Sequence, residues 1–164
     1  MRIGVCLPMY KFIDSKFVDS LLNFLRENLP KYDIDIINRI GGSLDVARNE
    51  LVKKALLNGC DYILFLDSDH IFPQGTLTRL LKVMKEKNAK IVSALYFTRS
   101  SLITPVIRKL EGKIFTPIFD YSGIIEVDGI GMGCCLIKSE VFNKIKFPFF
   151  EFKHENIYGY IHYI

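Results

Sequence analysis

The feature that most constrains the fold is an uninterrupted apolar run that ends in two carboxylates, the stretch "YILFLDSDHIFP" at residues 62–73. Strands with one face in solvent alternate apolar and polar side chains, whereas strands buried on both faces do not. The run at 62–66 lacks alternation, so it predicts a fully buried strand in the middle of a sheet. Asp67 and Asp69 follow it directly. The role of these two acids is the main question that the sequence raises.

Strand-like and helix-like patterns alternate through the first two thirds of the chain. The predicted strands lie at 2–7, 32–40, 62–66 and 90–97. The predicted helices begin near Ser15, Ser43 and Pro73, the two serines as N-caps and the proline as a first helical residue. Beyond residue 98 come short β-like pieces at 105–115 and 123–137 and a short helix at 139–144. This order predicts an α/β fold, with a mostly parallel central sheet, helices on both faces and a β-rich second half.

Each predicted helix carries apolar residues at helical spacing, which marks the face that it buries. The positions expected to face inward are Phe17, Leu21, Leu22 and Leu25 in the first helix, Leu44, Ala47, Leu51 and Ala55 in the second, and Leu77, Leu80, Leu81 and Met84 in the third.

Length and composition indicate one globular domain over residues 1–164, since 49% of the residues are hydrophobic and 24% are charged. No apolar stretch approaches the roughly 20 residues that span a bilayer. The net charge of +4 comes without a basic run, so nucleic acid is not an expected partner, whereas a small anionic substrate suits it. Cys6, Cys60, Cys134 and Cys135 form no CxxC pair. We therefore expect buried free thiols, as in a cytoplasmic protein.

A D-x-D triplet alone is weak evidence for a site. The chain has ten aspartates, so chance alone gives roughly one such triplet. A second example, Asp33 and Asp35, lies in a strand with alternating polarity, and we interpret it as structural. The evidence for a functional site is therefore the position of Asp67 and Asp69 in the fold, and not the motif itself.

Asp67 and Asp69 lie at the carboxyl end of the predicted central strand, the edge where open α/β sheets bind ligands. Helices begin at the same edge, and their first N–H groups favour phosphate. Two carboxylates with phosphate oxygens suit Mn²⁺ or Mg²⁺, and the small Ser68 lets both acids turn toward one point. The structural alternative is that Asp69 caps a turn before Pro73. A haloacid dehalogenase-type phosphohydrolase is a further alternative, although the later Asp120 and Asp128 are isolated.

Two longer segments resemble the GT-A fold glycosyltransferases, family 2-like. The segment "ARNELVKKALLNGCDYILFLDSDHIFPQGTLTRLL" resembles the nucleotide-binding half, in which an A-R-N helix start precedes a strand ending in D-x-D. The segment "VDGIGMGCCLIKSEVF" resembles the later strand and short helix beside the sugar and acceptor. The resemblance implies sugar transfer from a nucleoside diphosphate sugar, UDP- or GDP-linked, to an acceptor that it does not identify. It divides the chain at about residue 100 into a nucleotide-sugar half (about 1–100) and an acceptor-side half (about 101–164).

The resemblance also implies roles for individual residues. Asp69 would be the chief metal ligand, and Asp67 would contact the ribose or a metal-bound water. The end of the first strand lies where the family holds the nucleotide base, which brings in Pro8 and Tyr10, with Tyr10 as a stacking platform or simply an exposed residue. Arg48, early in the second helix, could reach Asp67 or a phosphate; Asn49 and then Arg99 follow as candidates. Gly131 and Gly133, on one strand face with Gly129, either let a sugar approach the backbone or mark a tightly packed strand.

The tail departs from the family pattern. A Glu-Asp pair that opens a helix would supply the base, and no such dipeptide follows Gly133. Glu151 and Glu155 are the late acids that could take that role, and His154 or His162 could complete a metal shell. The resemblance is therefore to a short or C-terminally truncated member, and a non-catalytic nucleotide-sugar binder stays an alternative. The aromatic tail could pack against the domain, which is the default, form a homodimer contact, or touch a membrane peripherally.

Overall fold

The architecture is organised around a five-stranded sheet whose middle strand is the apolar run. The structure, a computed structural model, describes residues 1–153 and 162–163. In chain order the elements of the first half are β1 (Arg2–Met9), α1 (Ser15–Asn28), β2 (Asp33–Ile40), α2 (Leu44–Leu57), β3 (Tyr62–Leu66), α3 (Thr76–Glu86) and β4 (Ile91–Ser93). Those of the second half are β5 (Ile107–Glu111), β6 (Ile114–Pro117), β7 (Gly129–Ile130), β8 (Cys134–Lys138), a single 3₁₀ turn (Ser139–Val141), β9 (Phe152–Lys153) and β10 (His162–Tyr163).

The central sheet has the order β2-β1-β3-β8-β4. Strands β1, β2 and β3 run parallel, while β8 lies antiparallel to both β3 and β4. The alternation of strands and helices predicted that the first four strands share a mostly parallel sheet. A strand of the second half, β8, also enters this sheet and lies between β3 and β4. The residue after β3 is thereby tied to β8, since the Asp67 N–H donates to the Gly133 carbonyl at 2.9 Å.

Helices cover both faces of this sheet, as predicted. Helices α1 and α3 pack on one face, where Phe17, Phe24 and Leu77 join Leu64 and Leu66 of β3 in one cluster. Helix α2 packs on the other face, where its buried residues join Ile63 and Phe65. Because β3 is covered from both sides, residues 63–66 are each 0% exposed. The absence of alternation in the apolar run is thus explained, and the mixed α/β fold class with a mostly parallel sheet is confirmed.

The second half is built from short strands, again as predicted. A three-stranded antiparallel sheet of order β6-β5-β7 lies outside the central sheet. β9 and β10 pair antiparallel at the end of the described chain. The predicted short helix near 139–144 is a single 3₁₀ turn over Ser139–Val141.

Three local predictions about the elements are corrected. The N-cap of α1 is Asp14, whose carboxylate accepts from the Lys16 N–H at 2.8 Å, and Ser15 is already helical. Leu22 of the same helix is 48% exposed, because Phe24 takes the inward position. Helix α3 begins at Thr76 and not at Pro73, because Gly75 has a φ of +74°, which ends any continuous helical path from the proline.

The four cysteines are free and buried, as expected. Among the residues that the structure describes, no helix combines the length and apolar character needed to cross a membrane. The aromatic tail follows its default expectation in part: Phe150 is 7% exposed and packs edge-on against Phe65. Phe147 is 54% exposed. The Lys53 ammonium lies 3.6 Å from the centre of its ring.

Candidate functional site

A tight turn at the end of β3 brings the two acids to one place. Residues Asp67 to His70 form the turn, in which the His70 N–H donates to the Asp67 carbonyl at 3.1 Å. The turn is fixed on both sides. It leaves the buried β3, and beyond it Phe72 inserts edge-on between Phe17 and Phe24 of α1. The loop is therefore anchored in the core on both sides of its polar residues.

Asp67 is held by a buried arginine. Arg48 lies in the second turn of α2, and one guanidinium nitrogen, Nη2, lies 3.1 Å from Asp67 Oδ1 and 3.3 Å from Oδ2. The Arg48 side chain is 3% exposed and that of Asp67 is 24% exposed. The predicted approach of Arg48 to Asp67 is confirmed as a contact. A charge-assisted pair with one partner this deeply buried fixes the direction of the carboxylate.

Asp69 is paired with a second arginine, but in solvent. Arg99 Nη1 lies 3.1 Å from Asp69 Oδ2, and Arg99 Nη2 also donates to the Asp69 carbonyl. Both side chains are mostly exposed, Arg99 at 66% and Asp69 at 60%. Arg99 came last among the cationic candidates from the sequence, yet it is the side chain bound to the acid expected to be the chief metal ligand.

His70 completes a cluster that the sequence analysis missed. Ligand atoms of Asp67, Asp69 and His70 all lie within 4.8 Å of one another, and the His70 Nε2 is 3.9 Å from Asp69 Oδ1. The signal was present in the sequence, because the histidine follows the second acid directly in "DSDH". The histidines predicted as ligands were instead those of the tail, His154 and His162. Carboxylates and imidazole are both ligand types that bind divalent cations in proteins.

The glycines of the second motif make room for two aromatic rings. A Cβ on Gly131 would lie 1.8 Å from the Tyr96 hydroxyl, and one on Gly133 would lie 2.2 Å from His70 Cε1 and 3.0 Å from Asp67 Oδ2. The Tyr96 and His70 rings pack with centroids 4.6 Å apart. The Gly133 N–H donates to the Tyr96 hydroxyl at 2.9 Å. In this structure the space beside both glycines is therefore filled by side chains of the site.

Two further groups near Asp67 stay protonated at neutral pH. Burial, together with the negative charge of Asp67, raises the pKa of Tyr96 to about 12. The same two causes, again with burial first, raise the pKa of the Cys134 thiol to about 11. A general base must be deprotonated at the working pH. Neither Tyr96 nor Cys134 therefore suits that role, despite their position.

Pro8 and Tyr10 are the predicted residues at the same edge of the sheet. Pro8 is the second-last residue of β1, and Tyr10, just beyond the strand, is 74% exposed. Asn49 is structural: its side chain bonds the Phe149 N–H and both backbone groups of Phe150, which fastens the tail to α2. Glu151 follows this clamp and is exposed. Glu155 and His154 lie outside the described residues.

The cluster borders a wide groove of about 1430 Å³. His70, Tyr96 and Arg99 are among its lining residues, together with residues of α3, β4 and the 121–130 segment. Small-molecule sites typically occupy about 300–1,000 Å³. The groove is thus large enough for a small-molecule ligand, and His70 is the cluster residue that lines it.

Comparisons with known proteins agree with this picture. Residues 12–146 match the family described as glycosyl transferase family 2. No curated protein matches the chain significantly. Among solved structures, one titled the crystal structure of A197 from STIV is similar to this chain, with a TM-score of 0.62 and 20% identity. The similarity covers 92% of this chain and 72% of that chain, and at this identity it shows a common fold alone.

Proposed function

The chain belongs to glycosyl transferase family 2, and from this premise we propose that it moves a sugar from a nucleoside diphosphate sugar, UDP- or GDP-linked, to an acceptor. The reaction breaks the bond between the anomeric carbon and the diphosphate oxygen. It joins that carbon to an acceptor oxygen, whose proton passes to a base. We further propose that Asp67, Asp69 and His70 hold a divalent ion for this reaction.

The observation that carries the proposal is the convergence of those three side chains at the carboxyl edge of β3. Their ligand atoms lie within 4.8 Å of one another, at the edge where α/β sheets bind ligands. The imidazole is a softer ligand than a carboxylate, so this set favours Mn²⁺ over Mg²⁺. The bound ion would neutralise negative charge on the departing diphosphate.

The other residues position the donor. Arg48 keeps the Asp67 carboxylate turned toward the cluster, where Asp67 would meet a metal-bound water or the ribose. Ser68 occupies the turn between the two acids without adding bulk. Pro8 and Tyr10, at the end of the neighbouring β1, would border the nucleotide base, with Tyr10 free to stack because it is exposed.

The acceptor side is proposed in less detail. The groove beside His70 runs along residues of the second half, which supports an acceptor side formed by residues beyond about 100. The sequence predicted Gly131 and Gly133 on a strand, but they lie in the short connection between β7 and β8, where they let the backbone pass close to the cluster. Glu155 is the first proposed base for the acceptor proton, and Glu151, which is exposed next to the residues that Asn49 binds, is the second.

Calorimetry with UDP and GDP, each with and without Mn²⁺, tests the nucleotide-sugar proposal. We expect Mn²⁺-dependent binding of at least one of them that Asp69→Ala abolishes. The matched control is Asp35→Ala, since Asp35 belongs to the other D-x-D and pairs with Asn58 on the opposite edge of the sheet. If neither nucleotide binds with Mn²⁺, or if both variants bind as the wild type does, the proposal is wrong. Release of the free nucleotide from its sugar conjugate then separates an enzyme from a binding protein.

A further inference from the structure

The two arginines of the site pair with neighbouring carboxylates, but the environments of the two pairs differ. Arg48 and Asp67 are 3% and 24% exposed, whereas Arg99 and Asp69 are 66% and 60% exposed. An exposed ion pair contributes about 0–1 kcal/mol, because water solvates the separated charges well. Breaking a buried pair costs several times more, since it leaves a charge without water or a partner. Arg48 is thus a fixed partner, and Arg99 is one that can leave at little cost.

Arg99 occupies the same carboxylate that the cation would need. It bonds Asp69 Oδ2, and its second nitrogen donates to the Asp69 carbonyl. A guanidinium and a divalent cation beside one carboxylate repel each other, so they compete for Asp69. Since the Asp69–Arg99 pair is weak, a cation bound at Asp69 would displace the arginine at little cost.

The displaced arginine has a new partner when the donor is present. Arg99 follows a backbone pairing between Thr98 and Thr104, which holds the base of its loop. Its long side chain is in solvent and can turn about that fixed base. A nucleoside diphosphate beside the cation offers phosphate oxygens, which a guanidinium binds with two parallel hydrogen bonds.

We propose that Arg99 is an exchanging residue: it holds Asp69 in the free protein, yields that carboxylate to the cation, and then binds the diphosphate of the donor. This inference rests on the proposed function and assigns a specific residue to the leaving group. It distinguishes Arg99 from Arg48, which keeps the same partner throughout. It also predicts that one substitution changes two affinities in opposite directions.

The test measures Mn²⁺ binding alone by electron paramagnetic resonance, and then UDP and GDP binding at saturating Mn²⁺ by calorimetry. Arg99→Gln frees Asp69, so Mn²⁺ alone should bind about twofold to fivefold more tightly, the loss of one exposed pair. The same variant lacks the phosphate contact, so the nucleotide should bind about tenfold more weakly. Arg99→Lys keeps the charge and should recover part of the nucleotide affinity.

Arg26→Gln is the matched control, since it removes the same charge from an exposed arginine, one in the last turn of α1. It should leave both affinities near the wild-type values. If Arg99→Gln shifts both affinities in one direction, or neither, while the wild type binds Mn²⁺ and nucleotide, this inference is overturned and the proposed function stands. A wild type that binds neither overturns both.

Discussion

The two halves of the D-x-D motif show how burial makes neighbouring residues behave differently. Asp67 and Asp69 are separated by one residue, and a carboxylate oxygen of each lies 3.1 Å from an arginine nitrogen. Distance alone would make the two pairs equivalent. Asp67, however, directly follows the buried β3 and meets an arginine that α2 presents from the core. Asp69 is on the outer side of the turn. One pair therefore supports the site, and the other is available for exchange.

The largest expected effect comes from breaking the buried pair. Arg48→Ala leaves Asp67 without its partner and empties a buried position, so we expect the free energy of unfolding to fall by about 3 kcal/mol. Arg99→Ala should cost less than about 1 kcal/mol, because water replaces the lost partner. Urea denaturation of both variants against the wild type measures the difference. Equal losses would show that burial does not distinguish the pairs.

A smaller effect on stability is expected from substitution of Gly133, whose lack of a side chain leaves room for His70. In Gly133→Ala the new methyl group meets His70 and Asp67, so an overpacking cost of about 1–3 kcal/mol is expected. Moving the imidazole should also weaken Mn²⁺ binding by about tenfold, the loss of one ligand contact. Gly129→Ala is the control: its nearest contacts would be Arg108 Cβ at 3.1 Å and the Phe115 ring at 3.3 Å, neither of which belongs to the cluster. Unchanged Mn²⁺ affinity in Gly133→Ala would remove His70 from the site.

Much of the fold could be predicted because it follows from local patterns. The buried β3, the inward stripe of α2 and the short strands of the second half all came from apolar periodicity. The place of β8 could not be predicted in this way. β8 comes from late in the chain and inserts between β3 and β4. Local sequence patterns do not identify the neighbours of such a strand. The α1 cap differed by one residue, since Asp14 and Ser15 are both good caps.

A contact in the candidate site could be predicted when the positions of both residues in their helix or strand bring them together. Arg48 meets Asp67 because the start of α2 and the end of β3 share one edge of the sheet. Arg99 and Tyr96 reach the cluster from the chain beyond β4, a contact that depends on how the second half folds back. The spacing of Gly131 and Gly133 allowed two interpretations. The structure shows that the rings of Tyr96 and His70 occupy the space beside these glycines.

Anomalous diffraction from a crystal grown with Mn²⁺ and UDP would locate the ion. We expect a manganese peak bonded to Asp69 and His70, with Asp67 bonded to it directly or through one water and still paired with Arg48. We also expect the Arg99 guanidinium to have moved from Asp69 to the diphosphate. A peak elsewhere, or UDP bound with no ion at these three side chains, would contradict the proposed metal site.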